Sequence, residues 1–116
     1  MLKTNVETFI GCDAAYKDAD TVLFGAPYDC TTSFRPGTRF ASAAMRHESY
    51  GLELYSPYQG KELTDRKIFD GGDLELPFGA PEPMLRMIEK QAAGILKDGK
   101  RPFMLGGEHL VTLGAF

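Results

Sequence analysis

Cysteine is scarce in this chain, since only Cys12 and Cys30 occur among its 116 residues. Two cysteines are too few for a disulfide scaffold, and they lack the close spacing of zinc-binding cysteine pairs. We therefore expect two free thiols, which is typical of proteins in a reducing cytosol. On this basis we predict a cytoplasmic protein.

Long apolar runs and a surplus of basic residues are also missing. No run approaches the roughly 20 apolar residues that a membrane helix needs, and the first residues lack the basic and apolar regions of a secretory signal. The formal net charge is −3, with 13 basic and 16 acidic residues. Because nucleic acids and anionic membranes attract positive patches, we expect neither as a partner.

The residue pattern that is present predicts an α/β fold with a parallel sheet. Three short apolar runs, residues 21–25, 66–70 and 102–106, end at glycine or at Asp-Gly-Gly and predict buried strands. Residues 41 to about 55 predict one helix, interrupted late by Gly51, and residues 81–97 predict another. The apolar face of the second helix consists of Leu85, Ile88, Ala92, Ile95 and Leu96. Strands that alternate with helices favour right-handed crossovers between parallel strands.

The end of the chain interrupts this pattern. A third helix begins near Leu110, and the chain ends at Phe116 after about two turns. A parallel sheet needs both faces covered, and here its outer strand would have an unpaired edge. We therefore expect residues 1–116 to be an incomplete part of a single domain.

The candidate functional residues follow the ends of the predicted strands, where ligands bind in open α/β sheets. His109 is the strongest candidate, because Gly106 and Gly107 permit a tight turn and a neutral imidazole at the sheet rim can bind a metal. Spacing alone leaves open a structural, hydrogen-bonded role for His109. Glu108 could support a metal ligand, but helix capping or solvent exposure is favoured, because acids suit a first helical turn.

Other polar residues have simpler interpretations. Asp70 and Asp73 could form a carboxylate site, but no histidine accompanies them, so turn and hydrogen-bond roles are favoured. Arg35 and Arg39 flank a Pro-Gly turn and could grip a carboxylate. For both arginines we favour a role in pinning the long loop to the domain or to a neighbouring subunit. His47, in the first predicted helix, is expected at the surface.

Together these segments resemble the agmatinases, which are members of the arginase or ureohydrolase superfamily. The similar segments are residues 25–29, 35–40, 45–46, 70–74 and 106–113, in that order. The resemblance implies a three-layer α/β/α fold around an eight-stranded parallel sheet. It implies that residues 1–116 are the N-terminal portion of a single, truncated ureohydrolase domain. Only its first three strands are present here, and the first is expected between the other two. The resemblance also implies that His109 is the first manganese ligand.

The function that this resemblance implies is a dinuclear manganese hydrolase that cleaves a guanidino compound to urea and an amine. Agmatine, which would give putrescine in polyamine biosynthesis, is the first choice. Guanidinobutyrate, arginine and formiminoglutamate are the alternatives. The family uses six protein ligands for two Mn²⁺ ions, and this chain contains one of them, so residues 1–116 alone are expected to be inactive. The resemblance further implies a homo-oligomer, either a trimer or a hexamer.

Two other hypotheses stay open. A chain that truly ends at Phe116 could be a non-catalytic α/β binding or assembly module, docking through its exposed sheet edge. The other hypothesis is an unrelated α/β binding domain. In that case, replacing His109 would leave the metal affinity of the protein unchanged.

Overall fold

The computed structural model describes residues 2–3 and 7–116. Its strands are β1 (Leu2–Lys3), β2 (Thr21–Ala26), β3 (Tyr55–Ser56), β4 (Lys61–Glu62), β5 (Ile68–Leu74) and β6 (Arg101–Gly106). Its helices are α1 (Ala41–Ser49), α2 (Pro81–Lys97) and α3 (Val111–Ala115). Short 3-10 turns cover Tyr16–Asp18, Thr38–Phe40 and Leu63–Asp65.

The main sheet has the strand order β1-β5-β2-β6. β2 is parallel to β5 on one side and to β6 on the other. This confirms the predicted parallel sheet, with the first of the three long strands in the middle. The short β1 was not predicted, and it pairs antiparallel with the end of β5 through Leu2 and Lys3.

Two faces of the sheet are covered by different helices. Val22, Phe24 and Ala26 alternate along β2 and belong to one buried cluster with Met84, Ile88 and Ile95 of α2 and Val111 of α3. Successive side chains of a strand point to opposite faces, and Gly25 lies on the other face, against Ser42 of α1. The described residues therefore form α, β and α layers, as the predicted fold class requires.

Helix α2 has the predicted bounds, and its buried face differs from the predicted one at Met84 and Leu96. Ile88, Ala92 and Ile95 are buried as predicted, whereas Leu96 is 59% exposed and Met84 is fully buried. Met84, Ile88 and Ile95 follow steps of four and seven residues, which align on one side of a helix. Leu96 lies about 100° further around the helix and faces away from the sheet.

The first helix is shorter than predicted. α1 ends at Ser49, and the backbone N–H groups of Gly51 and Leu52 bond back to Glu48 and Ser49 in a turn. The chain then forms the small hairpin of β3 and β4. The expectation of a helix reaching about Tyr55 was therefore wrong, because the chain leaves the helix just before the flexible Gly51.

The second long strand is longer than predicted. Asp-Gly-Gly-Asp was expected to be a turn, but β5 continues through it to Leu74. The register between β2 and β5 shifts there, because Asp70 pairs with Leu23 and Asp73 pairs with Gly25. One additional residue in β5 makes this a β-bulge, and Gly72, at a φ of 78°, supplies the left-handed conformation that a bulge uses.

Both cysteines are free thiols, as predicted, with Cys12 buried and Cys30 exposed. Burial and the nearby charges of Asp70 and Asp13 raise the pKa of the Cys12 thiol to about 11. Across residues 2–3 and 7–116, no helix combines the length and the apolar character needed to cross a membrane.

Candidate functional site

The carboxyl ends of the three parallel strands meet at one edge of the sheet. Ala26 at the end of β2 pairs with Gly106 at the end of β6, and Gly25 pairs with Asp73 in β5. In sheets of this kind, ligands bind in the crevice outside these strand ends. Each of the predicted candidate segments begins at this edge.

The turn after β6 packs tightly against the end of β2. The peptide bond between Gly106 and Gly107 is cis, and Gly107 has a φ of 72°. A Cβ atom at Gly107 would lie 2.3 Å from the carbonyl oxygen of Ala26. The N–H of Gly107 donates to the Thr38 carbonyl at 3.3 Å, and the N–H of Glu108 donates to the Tyr28 carbonyl at 2.9 Å. Only glycine fits this close backbone approach.

Glu108 is buried and its carboxylate binds the loop that follows β2. It is 8% exposed, and its Oε2 accepts the backbone N–H of Thr31 at 2.9 Å. Its Oε1 accepts the Thr31 hydroxyl. The favoured interpretation of Glu108 as a helix cap or a solvent-exposed acid was therefore wrong. Its partner lies 77 residues earlier in the chain, so local sequence rules could not identify it.

His109 is exposed at the rim of an open cleft. The cleft is lined by Thr31, Thr32, Ser33, Phe34, Thr38, Gly107, Glu108, His109, Leu110 and Leu113. Within the part of the chain that the structure describes, no side chain hydrogen-bonds the His109 imidazole. The alternative of a hydrogen-bonded structural histidine therefore has no observed partner among the described residues, and the exposed side chain of His109 lines the cleft.

Asp29 fixes the two ends of the loop between β2 and α1. Its carboxylate accepts the N–H of Gly37 at 2.7 Å and the N–H of Arg39 at 3.2 Å, and it also accepts the Arg39 guanidinium at 3.2 Å. Burial alone would raise the pKa of Asp29, but these hydrogen bonds and the positive charge of Arg39 outweigh it and lower the pKa.

The two loop arginines therefore differ in role. Arg39 holds the loop to Asp29, which fits the predicted pinning role. Arg35 instead has a φ of 40° and places its guanidinium 5.2 Å from the centre of the Phe34 ring. Nothing in residues 2–3 and 7–116 forms an ion pair with Arg35, and its predicted contact with a neighbouring subunit stays a prediction.

A buried ion network joins α1 to β5. Arg46 is 1% exposed. Its Nε lies 2.8 Å from Asp70 Oδ2, and its Nη1 lies 2.7 Å from Asp73 Oδ1. Asp73 also accepts the Ser42 hydroxyl at 3.0 Å. Burial alone would lower the pKa of Arg46, but the hydrogen bonds and charges of the two aspartates raise it.

This network explains the roles of both aspartates. The part of Arg46 in it was not predicted from the sequence. The prediction of hydrogen-bond roles for Asp70 and Asp73 is confirmed, although they lie in a strand rather than in a turn. Ser42, Arg46 and Ser49 are all buried on α1. Their spacing of four and three residues places them on one helix face, and this polar face was the sequence signal that could have revealed the network.

His47 lies outside the site. It is on the exposed side of α1, with Nδ1 3.2 Å from Glu7 Oε2. This confirms its predicted surface position.

The donors in the site fit one position of a metal centre. Among residues 2–3 and 7–116, no group of three or more His, Cys, Asp or Glu side chains could hold a metal ion. The carboxylates of Asp29, Asp70, Asp73 and Glu108 are all engaged by other residues. His109 is therefore the candidate nitrogen donor here, and the described residues alone do not assemble a complete metal site.

The chain is similar to known proteins in sequence. The model of the arginase family matches residues 19–116. The agmatinase of Bacillus subtilis strain 168 is 47% identical over 106 residues, which cover 91% of this chain and 37% of that protein.

Solved structures are similar as well. The agmatine ureohydrolase of Thermoplasma volcanium superimposes with a TM-score of 0.90 at 33% identity, over 97% of this chain and 38% of that one. A formiminoglutamase variant of Trypanosoma cruzi, solved with Mn²⁺, has a TM-score of 0.74 at 27% identity, over 87% of this chain and 35% of that one. The chain thus spans less than two fifths of the length of each of these proteins.

Proposed function

The chain belongs to the arginase family, and on that premise we propose that the natural protein hydrolyses a guanidino compound at a metal centre to which His109 contributes. The observation that carries this proposal is the exposed position of His109 and its lack of a hydrogen-bond partner among the described residues. Its imidazole is exposed at the carboxyl end of β6, faces the cleft and has no hydrogen-bond partner among the described residues.

Agmatine is the substrate that we propose first, with putrescine and urea as products. The support is the similarity to the agmatinase of Bacillus subtilis and to the agmatine ureohydrolase of Thermoplasma volcanium. The formiminoglutamase of Trypanosoma cruzi is less similar, at 27% identity. We rank formiminoglutamate, guanidinobutyrate and arginine behind agmatine for this reason.

We propose Mn²⁺ as the cofactor, with two ions expected in the natural protein. When bound, such ions acidify a water molecule and so supply a nucleophile at neutral pH. Imidazole nitrogen together with carboxylate oxygens suits Mn²⁺, and the related formiminoglutamase was solved with this metal. In this chain, His109 would supply one ligand, and the glycine turn before it would hold the imidazole at the rim of the sheet.

The test is urea release by the natural protein loaded with Mn²⁺. We expect the highest kcat/KM for agmatine among the four guanidino compounds. If one of the other three compounds has a higher kcat/KM, that compound is the preferred substrate instead of agmatine. If none of the four compounds gives urea, the hydrolase proposal is contradicted.

The role of His109 is tested by comparing two histidine variants. His109→Ala is expected to weaken Mn²⁺ binding, and so lower the Mn²⁺ content per chain, and to slow urea release by at least tenfold, because a ligand is lost. His47→Ala is the matched control, since His47 is exposed and lies on α1 outside the cleft. Equal Mn²⁺ content and equal rates in the two variants would show that His109 is not a ligand.

A non-catalytic module is the second candidate. The observation that favours it is the free edge of the sheet, because β6 pairs only with β2 among the described strands, and Phe103 on β6 is 57% exposed. The intact mass of the natural protein discriminates the two functions. A natural chain that continues beyond Phe116 into an Asp-x-His-x-Asp segment supports the hydrolase, whereas a stop at Phe116 supports the module.

The proposed assembly is a homo-oligomer, a trimer or a hexamer. Light scattering on the natural protein after size-exclusion chromatography would measure its mass in solution. A monomer would contradict this part of the proposal without affecting the proposed chemistry.

A further inference from the structure

One wall of the cleft beside His109 is a loop segment that forms few hydrogen bonds. We call residues 31–34 the wall segment, and all four of its residues line the cleft together with His109. Phe34 is 78% exposed. In the described part of the chain, residues 32–35 form a single hydrogen bond, from the Thr32 hydroxyl to the Asp29 carbonyl at 3.3 Å.

The position of the wall segment therefore depends on its first residue, Thr31. Both hydrogen bonds of Thr31, from its N–H and from its hydroxyl, go to the carboxylate of Glu108. The other two contacts between this loop and the turn after β6 use the backbone N–H groups of Gly107 and Glu108. Those two bonds survive a change of side chain, whereas the bonds to Thr31 require the side chain of Glu108.

We propose that Glu108 is a positioning residue that holds the wall segment beside His109, so that the segment contacts the substrate. This inference rests on the proposed function. The Glu108 carboxylate is buried and both its oxygens are engaged by Thr31, so it is not free to bind the substrate itself. His109, the proposed metal ligand, is the next residue in the chain. Glu108 therefore holds the wall segment at a fixed distance from His109.

The chemistry of the wall segment is neutral. Thr32 and Ser33 offer hydroxyl groups, and Phe34 offers an aromatic ring. Such a wall binds the substrate through hydrogen bonds and van der Waals contacts. Because it has no charged or titratable group, it adds little to the bond-breaking step. Loosening it should therefore weaken substrate binding more than it slows the chemistry.

The first experiment compares two variants of Glu108 in the natural protein loaded with Mn²⁺. Glu108→Ala removes both bonds to Thr31. It should raise the KM for agmatine about tenfold, the effect of losing one hydrogen bond between the loosened wall segment and the charged substrate. Its kcat should stay within about threefold of wild type. Glu108→Gln can accept the N–H of Thr31 and donate to its hydroxyl, so its KM should stay close to wild type.

The second experiment changes the other partner, which is exposed and is not needed for the core. Thr31→Val keeps the shape but loses the hydroxyl bond, and it should raise KM by several fold. Thr31→Ser keeps the hydroxyl and should behave as wild type. Glu89→Gln, a change at an exposed residue of α2, is the control that should alter neither KM nor kcat.

Two further readouts do not depend on turnover. Hydrogen exchange of the Thr31 backbone amide, whose N–H is bonded to the Glu108 carboxylate, should be at least tenfold faster in Glu108→Ala and unchanged in Glu108→Gln and Glu89→Gln. The Mn²⁺ content per chain should be unchanged in all of these variants.

Several results would overturn the proposal. Equal loss of Mn²⁺ in Glu108→Ala and Glu108→Gln would identify Glu108 as a carboxylate ligand instead of an anchor. A lower free energy of unfolding with unchanged KM and unchanged exchange in the wall segment would assign it a purely structural role. If the wild-type protein releases no urea, the proposed function fails, and hydrogen exchange alone then decides whether Glu108 anchors the wall segment.

Discussion

The pair of Arg46 and Asp70 is the most deeply buried ion pair of the described residues. Arg46 lies between α1 and the sheet, with its guanidinium shared by Asp70 and Asp73. An ion pair in this position adds less to stability than its short distances suggest, because both partners lost their hydration. Removing one partner is more costly, since it leaves the remaining charges buried without compensation.

We expect Arg46→Ala to lower the free energy of unfolding of the natural protein by about 3–5 kcal/mol, because two aspartates lose their counter-charge. Urea unfolding at one protein concentration measures this change. Arg86→Ala, at an exposed position of α2, should stay within about 0.5 kcal/mol of wild type. Similar effects of the two variants would show that the network is not a major contributor.

Asp29 gives the molecule an acid-sensitive contact. Its hydrogen bonds hold the pKa of Asp29 below the ordinary value of 3.8. The folded state therefore binds fewer protons than the unfolded state in the interval below pH 3.8. The contribution of Asp29 to stability is complete above that interval and is lost as the pH falls through the lowered pKa.

The corresponding prediction concerns Asp29→Asn. This variant should be less stable than wild type near pH 6, and the difference should shrink as the pH is lowered below 3.8. Urea midpoints measured along a pH series check this. Stability curves that stay parallel throughout the acid range would contradict the lowered pKa of Asp29.

At the scale of the elements, two helical glycines have opposite environments. Gly94 lies on the exposed side of α2, and a Cβ atom there would meet no atom within 4 Å. Gly114 lies in α3, where a Cβ atom would be 2.9 Å from both the Cβ of Ile88 and the carbonyl oxygen of Leu85. Gly114 therefore sets how closely α3 packs on α2.

Alanine at these two positions should change stability in opposite directions. Gly94→Ala should stabilise the protein by about 1 kcal/mol, because alanine restricts the unfolded chain and favours the helix. Gly114→Ala should cost about 1–3 kcal/mol through overpacking between α3 and α2. Calorimetric Tm values of the natural protein and both variants test this, and shifts of the same sign would contradict it.

At the scale of the whole molecule, the described residues form a sheet whose open side is β6. An apolar pocket on one face includes Leu23, Phe103 and Leu105, and the exposed side chain of His109 lies at the sheet rim. The chain covers 37% of the Bacillus subtilis agmatinase. These facts agree with an activity that belongs to a longer chain.

We therefore predict that residues 1–116 by themselves release no urea from agmatine, even with added Mn²⁺. A single imidazole cannot hold two Mn²⁺ ions, so no metal centre is available to activate the attacking water. The assay is colorimetric urea detection, with the natural protein as the positive control and circular dichroism to confirm that the short chain is folded. Turnover in the usual enzyme range, about 1–10³ s⁻¹, would refute the prediction.

The sequence by itself determined the order of the three long parallel strands and of the helices between them, and the place of His109 after the third. The bounds of α2, the three parallel strands and the turn before His109 follow from signals within a few residues of each other. Apolar periodicity, a proline at a helix start and paired glycines act locally, because the backbone responds to its nearest neighbours. The bulge in β5 escaped prediction because glycine pairs serve turns and bulges equally.

Only the tertiary structure decided which polar groups bind each other. Arg46 meets Asp70 across 24 residues, and Glu108 meets Thr31 across 77 residues. These pairs form because the register of β2 with β5 and β6 brings distant segments to one sheet edge. Burial then requires each charge to find a partner, since an unpaired charge in the interior costs several kcal/mol. No local pattern contains that information, because it arises from the packing of the whole sheet.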